Sequence, residues 1–420
     1  MKWNLCETKN GQISVEIDNG QKVQLHSCYN PVKESKRWVE GLAINIVITK
    51  LIVVGMGMGY HILALRERYP HIEIEVWEFN NEYKNWIEAN LENKILNDKK
   101  IYYYSSESVE EIKKNFLAKL EQNEVELLIH LPSLNVISDS LDPLREKLVD
   151  IDYMNRSYLS KKETLEENFN CNLTLNDTGI NNFINNYIKR PFILVSAGPS
   201  LTKQLPLLKK IKQNTNVILG CVGTALKPLL ENEIKPDFLM VSDPNDQISA
   251  QTDGVFTNNL TLFYLSTANH KMISAFNGKR YIVWQNGYKY AEEQSKYKNE
   301  PLINTGGSVA TCLLDLMVKM GASRIALVGQ DLAFTDGKSH AISTSDLRTV
   351  NTEYTTIEVD NFHLTNKVST SRNLSIYLKW FESYVKKNDS KVDLWNCTEG
   401  GAYIKGWFHQ SLKTYYETIK

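Results

Sequence analysis

Six short runs of nearly unbroken apolar residues constrain this chain more than anything else in it: "FILVSA", "VILGCV", "FLMVSD", "LFYLST", "YIVWQN" and "RIALVGQD", all between residues 191 and 331. Helix-like text separates most of them. Strands that are apolar on both faces belong to parallel sheets covered by helices, so this stretch reads as a doubly wound α/β domain. A related unit precedes it. "KLIVVGMGMGYHILALRERYPHIEIEVWEFN" reads as strand, glycine turn, amphipathic helix and second strand, and "VELLIHLPSL" adds another buried strand. The expected fold class is therefore α/β, with two doubly wound Rossmann-like domains followed by a C-terminal helical element.

The same reading divides the chain into segments. Residues 1–50 form a β-rich segment with the alternating runs "QISVEID" and "KVQLHS", and residues 51–150 form the Rossmann-like N-terminal domain. Residues 151–190 are a polar helical linker, 191–348 the central and catalytic domain, and 349–420 a C-terminal helical region. In the last of these, Leu374, Tyr377, Leu378, Phe381 and Tyr384 of "RNLSIYLKWFESYVKK" share one helical face. The net charge of -1 over 420 residues argues against a nucleic-acid partner. No run approaches the roughly 20 apolar residues of a membrane span, and the start carries no secretory pattern, so the expected location is the cytoplasm. The six cysteines are scattered, with no CxxC and no histidines at zinc spacing. They read as reduced thiols, and no metal or cofactor is expected.

The polar residues collect where the apolar runs end. In "SAGPSL", Gly198 lets backbone N–H groups approach an anion, Pro199 stiffens the turn and Ser200 adds a hydroxyl. Pro206 places the start of the following helix near Leu205. "NTGGSVA" sets Thr305, Gly306, Gly307 and Ser308 ahead of an apolar-striped helix closed by Gly321, so free N–H groups and the positive helix end point over Gly306 and Gly307. The strand ends also deliver Gly223, Thr224, Asp243, Gln330 and Asp331. Five strand ends carrying Gly, Ser, Thr or Asp describe one polar crevice.

The residues "SAGPSL", "PDFLMVSDP", "NTGGSVA", "GASRIALVGQDLAFTDGKSHA" and "WNCTEGGAYIKG" resemble the motility accessory factor (Maf) flagellin glycosyltransferases, whose central region is an MptE-like domain. The resemblance spans about 190 to 410. The central block is also similar to bacterial sialyltransferases that use CMP-sialic acid. What these resemblances imply is metal-independent transfer of a nonulosonic acid of the sialic, legionaminic or pseudaminic type from its CMP donor to Ser or Thr hydroxyls of flagellin, in support of flagellum assembly and motility. They imply that Gly198, Pro199 and Ser200 approach the CMP, that Thr305, Gly306 and Gly307 hold phosphate or ribose, and that Gln330 and Asp331 line the base and ribose pocket. The partners so implied are the CMP-sugar donor and the flagellin acceptor.

The chain departs from the sialyltransferase pattern at the tyrosines that steady the leaving phosphate. Ala333 stands at the first such position and His340 near the second, while His363 lies at about the family's distance for the histidine base. Either imidazole suits proton transfer near neutral pH. Three other readings compete: an ATP- and Mg²⁺-dependent pterin pyrophosphokinase using Asp243 and Asp331, a non-catalytic flagellin chaperone, and a methyltransferase using "GMGMGYH" with Glu78 on a ribose. The N-terminal glycine block is expected to serve structure or acceptor recognition.

Overall fold

The alternation of apolar runs and amphipathic segments folds into two units, Met1–Leu159 and Ser160–Lys420. The computed structural model describes residues 2–18, 20, 22–42, 44, 47–90, 97–122, 124–251, 259–338, 340, 341, 357–387 and 392–420.

The first unit begins with an antiparallel sheet, β1 (Lys2–Glu7), β2 (Ile13–Asp18) and β3 (Lys22–Gln24), in that order. A parallel sheet follows, built from β4 (Lys50–Val54), β5 (Glu73–Glu78), β6 (Ile101–Ser105) and β7 (Val125–Ile129) in the order β6-β5-β4-β7. Because side chains alternate across a strand, β4 feeds two cores. Leu51 and Val53 pack with Val15, Ile17 and Leu25 of the small sheet, whereas Ile52 and Val54 pack with Trp77, Phe79 and Phe116. The expected 151–190 linker is instead divided between the units, since the helix Asp142–Leu159 closes the first and Lys162–Thr174 opens the second.

The glycine turn after β4 is filled from within. Glu78, at the end of β5, accepts hydrogen bonds from the Met56 and Phe79 N–H groups at 3.2 and 3.1 Å. The Met58 N–H donates to His26 Nε2 at 3.1 Å, and a Cβ on Gly57 would stand 2.6 Å from that nitrogen. Both Glu78 oxygens thus serve the backbone of the turn, and the residue is only 2 % exposed, which leaves the ribose role expected in a methyltransferase little access.

The second unit contains nine parallel strands. These are β8 (Pro191–Val195), β9 (Ile218–Val222), β10 (Phe238–Val241), β11 (Thr261–Leu265), β12 (Lys279–Gln285), β13 (Leu302–Ile303) and β14 (Arg324–Val328). A hairpin of β15 (Ile357–Asp360) and β16 (Lys367–Thr370) stands apart, and β17 (Asp393–Asn396) and β18 (Phe408–His409) complete the large sheet. Its order is β13-β12-β11-β10-β9-β8-β14-β17-β18. All six apolar runs became strands. The C-terminal region, expected to be helical, does hold the helix Arg372–Lys387, but it also extends the sheet on the β14 side. The boundary expected at 348/349 lies outside the described residues.

Pro206 does not delay the helix after β8, which runs Leu201–Asn214. A proline there removes one intrahelical donor, but Leu201, Leu205, Leu208 and Ile211 are all buried in the core, and that burial outweighs the missing bond.

Burial pushes the Glu78 carboxyl up to about 7, against the pull of its two backbone donors. A carboxyl whose folded pKa exceeds its unfolded value binds more protons when folded, so its contribution weakens as pH rises from about 4.5 through 7. Urea unfolding of wild type and Glu78→Gln across that range should therefore show the wild type losing stability relative to the variant as pH rises. A constant difference would mean that Glu78 takes up its proton at the same pH in the folded and unfolded chain.

Candidate functional site

Register brings the strand ends level. Pairing of Val195 with both Val328 and Cys221, and of Met240 with Val222, sets Ser196, Gly223 and Gly329 along one sheet edge. The order of strands reverses between β8 and β14, where open α/β sheets bind ligands. A cavity of about 300 Å³ lies here. Its walls include Gly198, Gly223, Thr224, Asp243, Ser308, Gln330, Asp331 and His340 of the expected set. Leu374 and Tyr377 from the helix Arg372–Lys387 and Gln251 also line it. Those three were not expected there, and for Gln251 no motif announces the role.

Asp331 organises the floor. Only 2 % exposed, it accepts the Ser200 hydroxyl on Oδ2 at 2.7 Å and the Thr335 hydroxyl on Oδ1 at 2.5 Å. Burial pushes its carboxyl up from the ordinary range, and the two hydroxyl donors oppose this. A Cβ on Gly198 would stand 2.0 Å from Asp331 Oδ2. The bare Cα of Gly198 is thus demanded by Asp331. The expected free amides of this turn are engaged: the Gly198 N–H donates to Gly329 O, the Leu201 N–H to Gly198 O, and the Ser200 N–H faces Asp331.

The second glycine site is corrected in the same way. The Gly306 N–H donates to Thr311 Oγ1 at 2.9 Å, and a Cβ on Gly306 would enter the Trp380 ring. Gly306 permits close approach of the C-terminal helix, and neither it nor Thr305 and Gly307 line the cavity. Ser308 caps the helix Val309–Lys319 by accepting the Thr311 N–H. What faces the cavity is the helix start itself, Ser308, Val309 and Ala310. First-turn amides have no acceptor within their own helix and carry the positive end of its dipole.

The remaining polar groups differ in what they can offer. Gln330 Oε1 accepts the Ser196 hydroxyl at 2.5 Å, while its Nε2 has no partner among the described residues. Asp243 Oδ1 accepts both the backbone and side-chain N–H of Asn245. A Cβ on Gly223 would collide with Gln251 Oε1 at 1.9 Å, so Gly223 makes room for that amide. The two candidate bases separate: His340 lines the cavity, whereas His363 is exposed on the turn between β15 and β16. Pro199 and Ser200 are near neighbours of the floor without lining it.

The first unit holds a cluster that its sequence spacing conceals. His26, His61 and His130 are buried, and their ring nitrogens come within 4.8 Å of one another. Burial holds His61 down at about 3 and His130 well below the ordinary imidazole value.

With this geometry in place, likeness to known proteins becomes informative. Residues 163–337 match the family described as 6-hydroxymethylpterin diphosphokinase MptE-like. The chain is also similar to a solved structure, the Maf glycosyltransferase from Magnetospirillum magneticum AMB-1. That likeness covers all of this chain and 71% of the other at 13% identity, with a TM-score of 0.53. No curated protein sequence matches the chain. The second unit thus carries an MptE-like domain, and the chain as a whole has the fold of the Maf glycosyltransferase.

Asp331→Ala removes the only acceptor that holds both the Ser200 and Thr335 hydroxyls and should cost about 2–3 kcal/mol in denaturant unfolding. Asp331→Asn keeps one acceptor oxygen and should cost less. Equal, small losses for both would mean that the carboxylate does not hold these loops.

Proposed function

We propose that this protein is a glycosyltransferase that moves a nonulosonic acid from a CMP-activated donor to Ser or Thr hydroxyls of flagellin. The observation that carries the reading is the cavity at the β8/β14 reversal, walled by a helix start, an unspent Gln330 amide and His340, within the fold of a Maf glycosyltransferase. The amides of Val309 and Ala310 suit a phosphate, because unpaired N–H groups and the helix dipole both favour negative charge. Gln330 Nε2 is a donor for the carbonyl or ring nitrogen of a base, and Asp243 and Thr224 stand ready for ribose hydroxyls.

In the reaction, the bond between the anomeric carbon and the CMP phosphate oxygen breaks, and a new bond forms to the acceptor oxygen. The charge that builds on the departing phosphate is stabilised by the helix start. His340, at the cavity wall, takes the acceptor proton or donates one to the phosphate. His363 is the weaker candidate because it sits on an exposed turn.

A pterin pyrophosphokinase, the activity named in the family description, needs carboxylates free for Mg²⁺. Asp331 is poorly suited, since both its oxygens already accept hydroxyl donors.

Calorimetric titration with CMP in EDTA tests the reading. Saturable binding is expected, weakened about five- to tenfold by Gln330→Ala. No heat with CMP, together with binding of ATP and Mg²⁺, would replace this reading by the kinase. In a transfer assay with flagellin, His340→Ala should lower the rate by about 10²–10⁴ while His363→Ala leaves it nearly unchanged. The reverse order would move the base to the hairpin.

A further inference from the structure

The chain holds a second candidate site that the proposed transfer does not use. We propose that His26, His61 and His130 bind one divalent transition-metal ion of the zinc type in the first unit, with Nε2 of His26, Nδ1 of His61 and Nε2 of His130 as ligands.

The argument starts from which nitrogens are already spent. His61 Nε2 faces the Gly55 carbonyl oxygen at 3.0 Å, and a carbonyl only accepts, so Nε2 carries the proton and Nδ1 the lone pair. That Nδ1 has no partner among the described residues, on a residue only 1 % exposed. His130 Nδ1 pairs with the Ser133 hydroxyl at 2.7 Å, which leaves Nε2 as its other nitrogen. His26 Nδ1 faces Glu34 Oε2 at 3.5 Å without completing a hydrogen bond. Each ring thus has one nitrogen turned to an outer group: a carbonyl, a hydroxyl and a carboxylate. Metal-bound histidines carry this arrangement, because the outer partner fixes the tautomer and aims the lone pair.

Position and charge agree. The cluster sits where strand order reverses between β4 and β7, beside a cavity of about 190 Å³ lined by His61, His130, Glu34 and Trp38. Three imidazoles place one ring nitrogen each within 4.8 Å of the others, which makes the cluster a set of converging lone-pair donors. Glu34 and Asp152 line the same cavity, and the one guanidinium among its lining residues, that of Arg156, is already paired with Asp152. Gly57 lies against the same point, its absent Cβ 2.6 Å from His26 Nε2 and 3.4 Å from His130 Cε1.

Binding asks for two local changes. His26 Nε2 exchanges the Met58 N–H for the ion, and the stacked His61 and His130 rings, 4.1 Å apart and 10° from parallel, fan open. Zinc–nitrogen bonds of about 2.0–2.1 Å then bring the three donors together, and a water from the cavity supplies a fourth ligand. The ion would tie the β-rich segment, the helix Tyr60–Arg68 and the end of β7 at one point.

The test uses the untagged full-length chain, stripped with a chelator and titrated with Zn²⁺ and with Co²⁺. About one equivalent of Zn²⁺ should survive gel filtration and raise the melting temperature, and Co²⁺ should give the strong visible absorption of a four-coordinate ion. His61→Gln and His130→Gln should each abolish both signals. Those variants also change buried side chains, so a second, exposed change is needed: Glu34→Gln should weaken Zn²⁺ binding about 10- to 100-fold. Wild type that retains no more metal than the double histidine variant, or affinity unchanged in Glu34→Gln, overturns the proposal. CMP binding should be indifferent to Zn²⁺, which keeps this result separate from the transferase reading.

Discussion

A single buried carboxylate holds the functional edge of the second unit together. Asp331 bonds the Ser200 hydroxyl after β8 and the Thr335 hydroxyl beyond β14, and its own carbonyl accepts the Ala402 N–H at 2.7 Å. Glycines crowd against it because nothing larger fits. A Cβ on Gly401 would stand 2.0 Å from the Asp331 carbonyl oxygen, the same clearance that Gly198 has from its carboxylate. Asp331 therefore ties the turn after β8 to its own loop through its side chain, and the segment at Ala402 through its main-chain carbonyl. The cavity wall inherits that rigidity, as any site that must hold its groups in fixed positions requires.

Each unit has its own crevice at its own strand reversal, and the two are filled differently. In both, the strand order reverses beside the first strand of a parallel sheet, and the C-terminal ends of the strands open there. The first unit closes the space over its glycine turn with Glu78, His26 and the Tyr83 hydroxyl, which reaches the Gly57 carbonyl. The second keeps its glycine turns tight through Asp331, Gln251 and Trp380 and, among the described residues, leaves a cavity of about 300 Å³ at its sheet edge. A glycine-rich turn is thus no proof of a ligand. What counts is whether its amides are already bonded.

That distinction explains what the sequence made legible. Parallel strands announce themselves by continuous apolar text, so β8 to β12 and β14 could be read directly. The short edge strands β13 and β18 carry no such text, because edge strands need not be apolar on both faces, and β17, one place in from the edge, is only the mixed "DLWN". Glycine positions were legible while their reason was not, since Gly198 and Gly306 answer to Asp331 and Trp380, far along the chain. The histidine cluster left no trace, as its members come from three elements with no common spacing. Tyr377 was read as an apolar-face residue, and it does lie on that helix, yet its ring also meets the cavity.

The ends of the nine-stranded sheet carry a separate consequence. β13 and β18 are two residues each, so neither edge offers a long row of unpaired backbone donors and acceptors. A broad parallel sheet is slow to assemble and vulnerable to templated growth while incomplete. Stub-like margins deny an incoming strand its foothold, and the chain can sustain a wide sheet without inviting its copies to extend it.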